Sequence, residues 1–293
     1  MTEIRAMPQQ ANPLANYMRQ PKIYITLPSG GRYWEPGSIN MPDNEQLPVY
    51  SMTAKDELAF KTPDALMNGQ AVVDVIQSCI PAIKNAWKMP NIDVDLILIA
   101  IRIATYGETM EVSHVVPGTD EQVEHEVNLQ ALLDRMSQNI WEETVEINDF
   151  LTCFVRPLTY KHLNATSMKA FETQRLMQAI NDDNLPDDKK MEIFNQSFNK
   201  MTDITIDLIA DSIMAIQTPD ALVKEPKFIR DFLKNADKEV FSRVQAHINR
   251  MKDINGLPPF EIESTPEQIE AGAPERYSVP IQFDNSNFFA PDS

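Results

Sequence analysis

The sequence predicts an α+β fold whose N-terminal half mixes short strands and helices around a β-hairpin and whose C-terminal half is mainly helical. Residues 22–27, 110–115 and 122–129 alternate between apolar and polar, which is typical of strands. After residue 159, apolar residues recur at helical spacing, while both ends of the chain lack periodicity. The predicted parts are an extended N-terminal arm at 1–21, an α+β domain at 22–158, a helical domain at 159–254 and an extended C-terminal tail at 255–293.

A tight turn is predicted directly after the first strand. Strands are expected at 22–27 and 47–52, and the sequence Pro28-Ser29-Gly30-Gly31 follows the first of them. Glycine adopts positive φ without a Cβ penalty. We therefore expect Pro28, Gly30 and Gly31 to form a structural turn in which Gly30 or Gly31 has φ above zero.

Helices and a hairpin complete the α+β domain. Capping residues start helices at Thr53 and Thr62, and helical spacing predicts further helices at 70–82, 90–106 and 129–136. A Pro117-Gly118 turn joins the alternating segments 110–115 and 122–129, which predicts the β-hairpin. Two more strands are expected at 143–147 and 151–158.

Arg102 lies near the end of the most apolar of these helices. Burying a charged side chain without a partner of opposite charge costs roughly several kcal/mol of folding free energy. We therefore expect Arg102 to form a structural ion pair with Asp95, with Glu108 or with a carboxylate of a neighbouring chain.

The helical domain is expected to contain helices at 160–180, 187–214 and 237–251. Its methionines include Met168, Met177, Met191, Met201 and Met214. Core packing is the favoured interpretation of these side chains, and an adaptable binding surface is the alternative.

The two ends carry the candidate interface. The arm offers few large apolar side chains, among them Leu14 and Tyr17, whereas the tail places Ile281, Phe283, Phe288 and Phe289 within nine residues. Burying a side chain as large as phenylalanine contributes roughly 2–3 kcal/mol. We expect both ends to become ordered only through contacts with other chains, with residues 279–283 as an edge strand.

Charge and hydropathy narrow the class of partner. The chain has 26 basic and 43 acidic residues, a formal net charge of −17. This balance disfavours nucleic acid, which is bound through Lys and Arg, and it disfavours anionic membrane surfaces. The sequence shows no secretion signal and no apolar run of the roughly 18 residues that span a bilayer. Other proteins are the expected partners, and self-association is compatible with the sequence.

No pattern indicates an enzyme or a cofactor. The sequence lacks the common nucleotide-binding, zinc-protease and serine-hydrolase motifs, and Cys79 and Cys153 lie in apolar runs typical of buried thiols. His114 and His125 could face each other across the hairpin and, with Glu111, Glu124 or Glu126, bind a metal. A polar hairpin exposed to solvent is the favoured interpretation. Asp93 and Asp187 are interpreted as helix-cap or helix-dipole residues.

Five segments in order resemble a known family. They are residues 25–34 (ITLPSGGRYW), 53–57 (TAKDE), 61–69 (KTPDALMNG), 95–98 (DLIL) and 101–110 (IRIATYGETM). The set resembles the baseplate hub proteins of T-even-like contractile-tailed bacteriophages, over roughly 24–133 and more weakly at 280–289. Many members of that family place a cysteine pair where this chain has residues 116–119 (VPGT), so the resemblance implies no zinc site here.

The resemblance implies a virion or virion-assembly protein at the centre of the tail's distal end, and it leaves open whether the chain stays in the particle. Our leading hypothesis is a non-enzymatic structural component of the baseplate hub, located in the virion and, during assembly, in the host cytoplasm. Its partners would be other baseplate or tail proteins, joined through the body and the extended ends. The alternative is a transient assembly chaperone for the hub that is absent from the mature virion. A cell-wall hydrolase is a third class, but no suitable carboxylate pair is evident in the sequence.

Overall fold

Small antiparallel sheets and helices follow one another along the chain, which confirms the α+β class. The computed structural model describes residues 14, 18–60, 69–178 and 186–280. The strands in this part are β1 Pro21–Ile25, β2 Leu47–Tyr50, β3 Thr109–Val115, β4 Gln122–Asn128, β5 Thr144–Asn148, β6 Leu151–Val155, β7 Ile213–Gln217, β8 Leu222–Val223, β9 Phe260–Glu263 and β10 Arg276–Val279. The α-helices are α1 Ala54–Phe60, α2 Gln70–Cys79, α3 Asn91–Tyr106, α4 Leu129–Met136, α5 Tyr160–Gln178, α6 Asp187–Ser212, α7 Pro226–Asn235, α8 Lys238–Asn255 and α9 Pro266–Glu270.

Helix α3 is the centre of the largest core. Its sequence is apolar on nearly every side, so it packs against several elements at once, including β1, β2, α2 and α4. The side chains of Leu96, Ile97, Ile99 and Ile101 are fully buried. The helix ends at Tyr106 because Gly107, with φ 105°, takes the chain out of helical geometry.

A four-stranded antiparallel sheet in the order β5-β6-β7-β8 joins the two halves of the chain. The sequence analysis expects a helix up to Met214 and a separate helical domain from residue 159. The structure ends α6 at Ser212, and Ile213 begins β7, which pairs with β6. A single core cluster contains Val145 and Val155 from the first half and Val244 from the second. Backbone pairing of Ile213–Gln217 with β6 overrides the helical spacing of these residues. The domain boundary expected between residues 158 and 159 does not separate two hydrophobic cores.

Residues 255–280 are folded, which corrects the expectation of an extended tail beginning at residue 255. Strands β9 and β10 pair with each other, and α9 between them starts with a capping box at Thr265 and Gln268. Ile262, Tyr277 and Val279 pack with Val116, at the end of β3, in a third small core. Strand β10 ends at Val279 and Pro280 is outside it, whereas residues 281–283 of the edge strand expected at 279–283 lie outside the described part, so that expectation stays untested there.

Two glycines allow this small core to close. Gly118, in the β3–β4 turn, has φ +82°, and a Cβ built there would lie 2.5 Å from the backbone oxygen of Gly272. Backbone atoms cannot move aside as a flexible side chain can. The β3–β4 turn and the α9–β10 connection therefore touch at a point where only glycine fits.

We expect Gly118→Ala to lower the free energy of unfolding by about 2–4 kcal/mol, because the strain of positive φ adds to a backbone clash. Urea unfolding measures the change. Gly37→Ala is the matched control, since Gly37 has φ +81° with no atom within 4 Å of a built Cβ. The free energy of unfolding of Gly37→Ala should fall by only about 1–2 kcal/mol, the cost of holding alanine at positive φ. Equal losses in the two variants would contradict the close approach.

Candidate interaction surface

The turn after β1 has the expected geometry. Gly30 and Gly31 have φ of 57° and 76°, and Pro28 lies within the same turn. The backbone N–H of Gly30 donates to the carbonyl oxygen of Leu27 at 2.9 Å. A Cβ built on Gly31 would lie 2.9 Å from Cγ of Met41, so this glycine also permits close packing.

Asp93 fastens this turn to the first turn of α3. Its carboxylate accepts hydrogen bonds from the backbone N–H of Ser29 at 2.9 Å, from Ser29 Oγ at 2.6 Å and from Trp34 Nε1 at 2.8 Å. The side chain is fully buried, and burial raises the pKa of Asp93 to about 6, against the lowering effect of the Ser29 and Trp34 hydrogen bonds. The carboxylate makes no helix cap, because α3 has Pro90 at its N-cap. Asp93 is instead a tertiary anchor.

Arg102 is buried, with 1% of its surface exposed. Its guanidinium carbon lies 4.8 Å from the ring centroid of Tyr106, one helical turn further along α3. A cation over an aromatic face is stabilised electrostatically. The side chain does not extend into solvent, and its ion pair with a carboxylate stays a prediction.

The hairpin histidines pack against a protein surface. The rings of His114 and His125 stack with centroids 5.2 Å apart, and His114 Nε2 lies 2.8 Å from the hydroxyl of Tyr277 on β10. Burial, followed by the neighbouring His125, lowers the pKa of His114. Within the described ranges no three His, Cys, Asp or Glu side chains are grouped as a metal site requires. The hairpin face that carries His114 and His125 packs against β9 and β10. The expectation of a solvent-facing hairpin is therefore wrong for that face.

Both cysteines are buried free thiols in the structure. Burial is the main cause that raises the pKa of Cys79 to about 12 and that of Cys153 to about 11. Little thiolate exists at neutral pH under these conditions, and the thiolate is the nucleophilic form. Neither cysteine is suited to nucleophilic chemistry.

The N-terminal arm makes contacts with its own chain near residue 19. Arg19 donates through Nη1 to the carbonyl oxygen of Ser51 and through Nη2 to that of Ser78, both at 2.6 Å, and lies 3.7 Å from Asp56. Pro21 already belongs to β1. The expectation that the arm up to residue 21 is ordered only by other chains is therefore wrong for residues 19–21. Leu14 is 65% exposed.

We expect Arg19→Ala to lower the free energy of unfolding by about 1–3 kcal/mol, because two part-buried carbonyl oxygens and a carboxylate lose a charged donor. Thermal or urea unfolding measures the loss. Arg243→Ala is a control, since Arg243 forms an exposed ion pair within one helix, typically contributing about 0.3–0.5 kcal/mol. A loss no larger than that of the control would show that Arg19 does not anchor the arm.

Five of the predicted interface residues lie outside the part of the chain that the structure describes, so their place in an interface stays a prediction: Tyr17, Ile281, Phe283, Phe288 and Phe289.

Among the described residues, exposed large apolar side chains are concentrated on the helical hairpin formed by α5 and α6, which pack against each other. Over the part of this hairpin away from the sheet, the buried side chains among the described residues are Thr173 and Ser197, both small and polar. Met177 and Ile193 are half-buried, whereas seven other large apolar side chains are more than a third exposed: Met168, Phe171, Leu176, Met191, Phe194, Phe198 and Met201. We call these seven residues the hairpin patch. Core packing, the favoured interpretation of the methionines, is wrong for Met168, Met191 and Met201.

Part of the hairpin patch forms a continuous stripe. Met191, Phe194, Phe198 and Met201 are separated by three, four and three residues, so they lie along one side of α6. The rings of Phe194 and Phe198 stack with centroids 6.4 Å apart. Contiguous exposed apolar surface on this scale is typical of a protein-interaction site. The spacing is visible in the sequence, but the same spacing also describes a buried helix face.

An α+β body whose described part exposes a cluster of large apolar side chains is typical of a protein that binds other proteins. The chain belongs to the family described as T4 bacteriophage base plate protein, whose model matches residues 20–268. It is therefore a structural protein of a T4-type phage baseplate, and other tail or baseplate proteins are its partners. No curated protein and no solved structure matches the chain. None of the helices in the described ranges has the length and apolar character needed to cross a bilayer.

Proposed function

We propose that this chain is a non-enzymatic subunit of the baseplate hub that joins neighbouring subunits through its body and its ends. The family match supports a place in the baseplate. The observation that carries the joining role is the hairpin patch, in which seven large apolar side chains are exposed on two neighbouring helices. A subunit that worked alone would gain nothing from exposing this surface, which favours aggregation unless it is covered.

The exposed part of the hairpin is large enough to contribute to a subunit contact. Helix α6 has 26 residues, but its last ten lie where Asp203, Asp207 and Asp211 pair with α7. The outer 16 residues span about 24 Å, and two helices side by side are about 20 Å wide, so one face of the outer hairpin offers on the order of 500 Å². A standard protein interface buries about 800 Å² on each partner, so other parts of the chain should add to the contact.

Quantitative mass spectrometry of purified mature virions tests the proposal. A hub subunit should be present in a fixed copy number relative to the other baseplate proteins. A transient assembly chaperone has equal use for an exposed apolar surface, but it leaves before maturation. Presence of the chain in assembly intermediates together with its absence from mature virions would overturn the structural role in favour of the chaperone.

A further inference from the structure

Two cavities adjoin each other where the start of α3 meets the end of α8. The larger, about 410 Å³, lies between the first residues of α3, the first turns of α5 and the last residues of α8. The smaller, about 110 Å³, lies between α6 and α8. Asn91 and Lys252 line both cavities, so together the cavities form one site, which we call the α3–α8 site. No residue of the hairpin patch lines it.

The larger cavity is lined by side chains whose oxygen atoms lack a hydrogen-bond donor. Asn91 and Asp95 are four residues apart and therefore lie on the same side of α3. Asn255, the last residue of α8, is 2% exposed, and its Nδ2 donates to the carbonyl oxygen of Met251 at 2.9 Å. The Oδ1 atoms of Asn91 and Asn255 are buried and have no partner among the described residues. Buried acceptors without donors are costly, so these atoms call for N–H groups from a ligand.

Two opposite charges line the same site without pairing. The Asp95 carboxylate accepts from the backbone N–H of Leu257, and burial raises the pKa of Asp95 to about 6, so most of it is ionised at pH 7. The half-buried Lys252 carries the positive charge. Neither forms an ion pair with another described residue, so their charged atoms are more than 4.0 Å apart. A ligand with one positive and one negative or polar end satisfies both.

The smaller cavity supplies an apolar compartment. Apart from Asn91 and Lys252 at the junction, its wall includes Trp141, Leu158 and Ile248. An apolar cavity of about 150 Å³ is large enough to bind benzene. A cavity of about 110 Å³ therefore accommodates an aliphatic side chain of a few carbon atoms.

We propose that the α3–α8 site binds an α-ammonium group whose carbon atom also carries an aliphatic side chain and a carbonyl or carboxylate group. The ammonium donates to the oxygens of Asn91, Asp95 and Asn255. Lys252 donates to the carbonyl or carboxylate oxygen, and the aliphatic side chain occupies the smaller cavity. Two sources offer this chemistry: a free aliphatic amino acid and the first residue of a protein chain.

Other classes of ligand match the site less well. A divalent cation is usually held by more than one carboxylate, and it would lie in the same site as the Lys252 ammonium. A simple anion would meet the Asp95 carboxylate and two acceptors that have no donor. The end of α8 adds to the preference for an ammonium group near Asn255, because the C-terminal end of a helix is favourable for cations.

Isothermal titration of the full-length chain tests the proposal. The probes are L-leucine and the tripeptide Leu-Gly-Gly, with isocaproate, which lacks the ammonium group, and N-acetyl-leucine, in which that group is blocked. We expect saturable binding of leucine, of the tripeptide or of both, and at least about tenfold weaker binding of the other two compounds. Tighter binding of leucine assigns the site to a free amino acid. Equal or tighter binding of the tripeptide assigns it to the first residue of a protein chain.

Two variants test the residues that hold the ligand. Asp95→Asn keeps the size of the side chain and removes its charge, and Lys252→Met removes the ammonium; each should weaken binding at least about tenfold. Asp253→Asn and Lys227→Met are the matched controls, since both residues are exposed and line neither cavity. Circular dichroism checks that each variant is folded, and Lys252→Met retains the test if Asp95→Asn does not fold.

Three results would overturn the proposal. The first is the absence of binding by both leucine and the tripeptide at millimolar concentration. The second is equal binding of isocaproate, which would show that the ammonium group is not recognised. The third is binding that neither Asp95→Asn nor Lys252→Met weakens. Each result is independent of the virion measurement above, because the α3–α8 site and the hairpin patch share no residue.

Discussion

Replacing Asp93 by alanine is expected to lower the free energy of unfolding by about 2–5 kcal/mol at pH 7. The buried Asp93 carboxylate accepts three hydrogen bonds. The donors are the backbone N–H and the Oγ–H of Ser29 and the indole N–H of Trp34. Alanine leaves all three without an acceptor, and each unsatisfied buried donor costs about 1–3 kcal/mol. The loss is partly offset because the cost of burying the charge also disappears.

Urea unfolding at equilibrium measures this change. Trp34→Phe removes only one of the three hydrogen bonds and should cost about 1–2 kcal/mol. A loss of less than about 0.5 kcal/mol for Asp93→Ala, the range of neutral surface changes, would show that the turn is held by other contacts.

The same carboxylate predicts how stability varies with pH. Burial raises the pKa of Asp93 to about 6, above its unfolded value near 3.8. Between these values the folded state holds more protons than the unfolded state, so the free energy of unfolding falls as pH rises from about 4 to about 6. The shift of about two pH units corresponds to about 3 kcal/mol. Asp93→Asn should remove this part of the pH dependence, and an unchanged profile in that variant would assign it to other groups.

The second large effect is on assembly. We expect Phe194→Gln combined with Phe198→Gln to lower the affinity of the chain for its assembly partner by about 30- to 100-fold. The two side chains are 48% and 59% exposed, so about half of each remains to be buried. Half of a phenylalanine contributes about 1–1.5 kcal/mol, and about 1.4 kcal/mol is a tenfold change in affinity. Glutamine keeps a high helix propensity, so α6 itself should be preserved.

The yield of infectious particles in complementation of a phage that lacks the wild-type chain measures this effect. Phe228→Gln is the matched control, because Phe228 is 60% exposed on a different helix. The double variant should stay folded, with a loss in the free energy of unfolding of no more than about 3 kcal/mol, because about half of each ring is already buried in the folded chain. A normal particle yield from the double variant, or an equal loss in the control, would show that the hairpin patch is not specifically used.

Local signals explain which elements the sequence predicts well. The β3–β4 hairpin and α4 lie where alternation, the Pro117-Gly118 turn and helical spacing place them, and α4 spans 129–136 as expected. The glycines of the turn after β1 adopt positive φ for a reason that is also local. In each case the residues that specify the element are within the element itself.

Contacts between distant parts of the chain explain what the sequence does not reveal. Ile213 fits a helix by its neighbours, and only the backbone of β6, about 60 residues earlier, makes it a strand. The hydrogen bonds of Asp93 cross the same kind of distance, to Ser29 and Trp34. The hairpin patch is a related case: its apolar spacing is evident, but whether that side is buried or exposed depends on which elements pack against it.

The order β5-β6-β7-β8 also has a consequence for the way the protein is made. Strand β6 ends at Val155 and its partner β7 begins at Ile213, so the α5–α6 hairpin must emerge from the ribosome between them. At roughly 5–20 residues per second, those intervening residues take several seconds to translate. For that interval the edge of β6 has no strand beside it, and such an edge can pair with other nascent chains. Slow translation of this stretch would lengthen the exposure, whereas a host chaperone bound to β5 and β6 would protect the chain until β7 arrives.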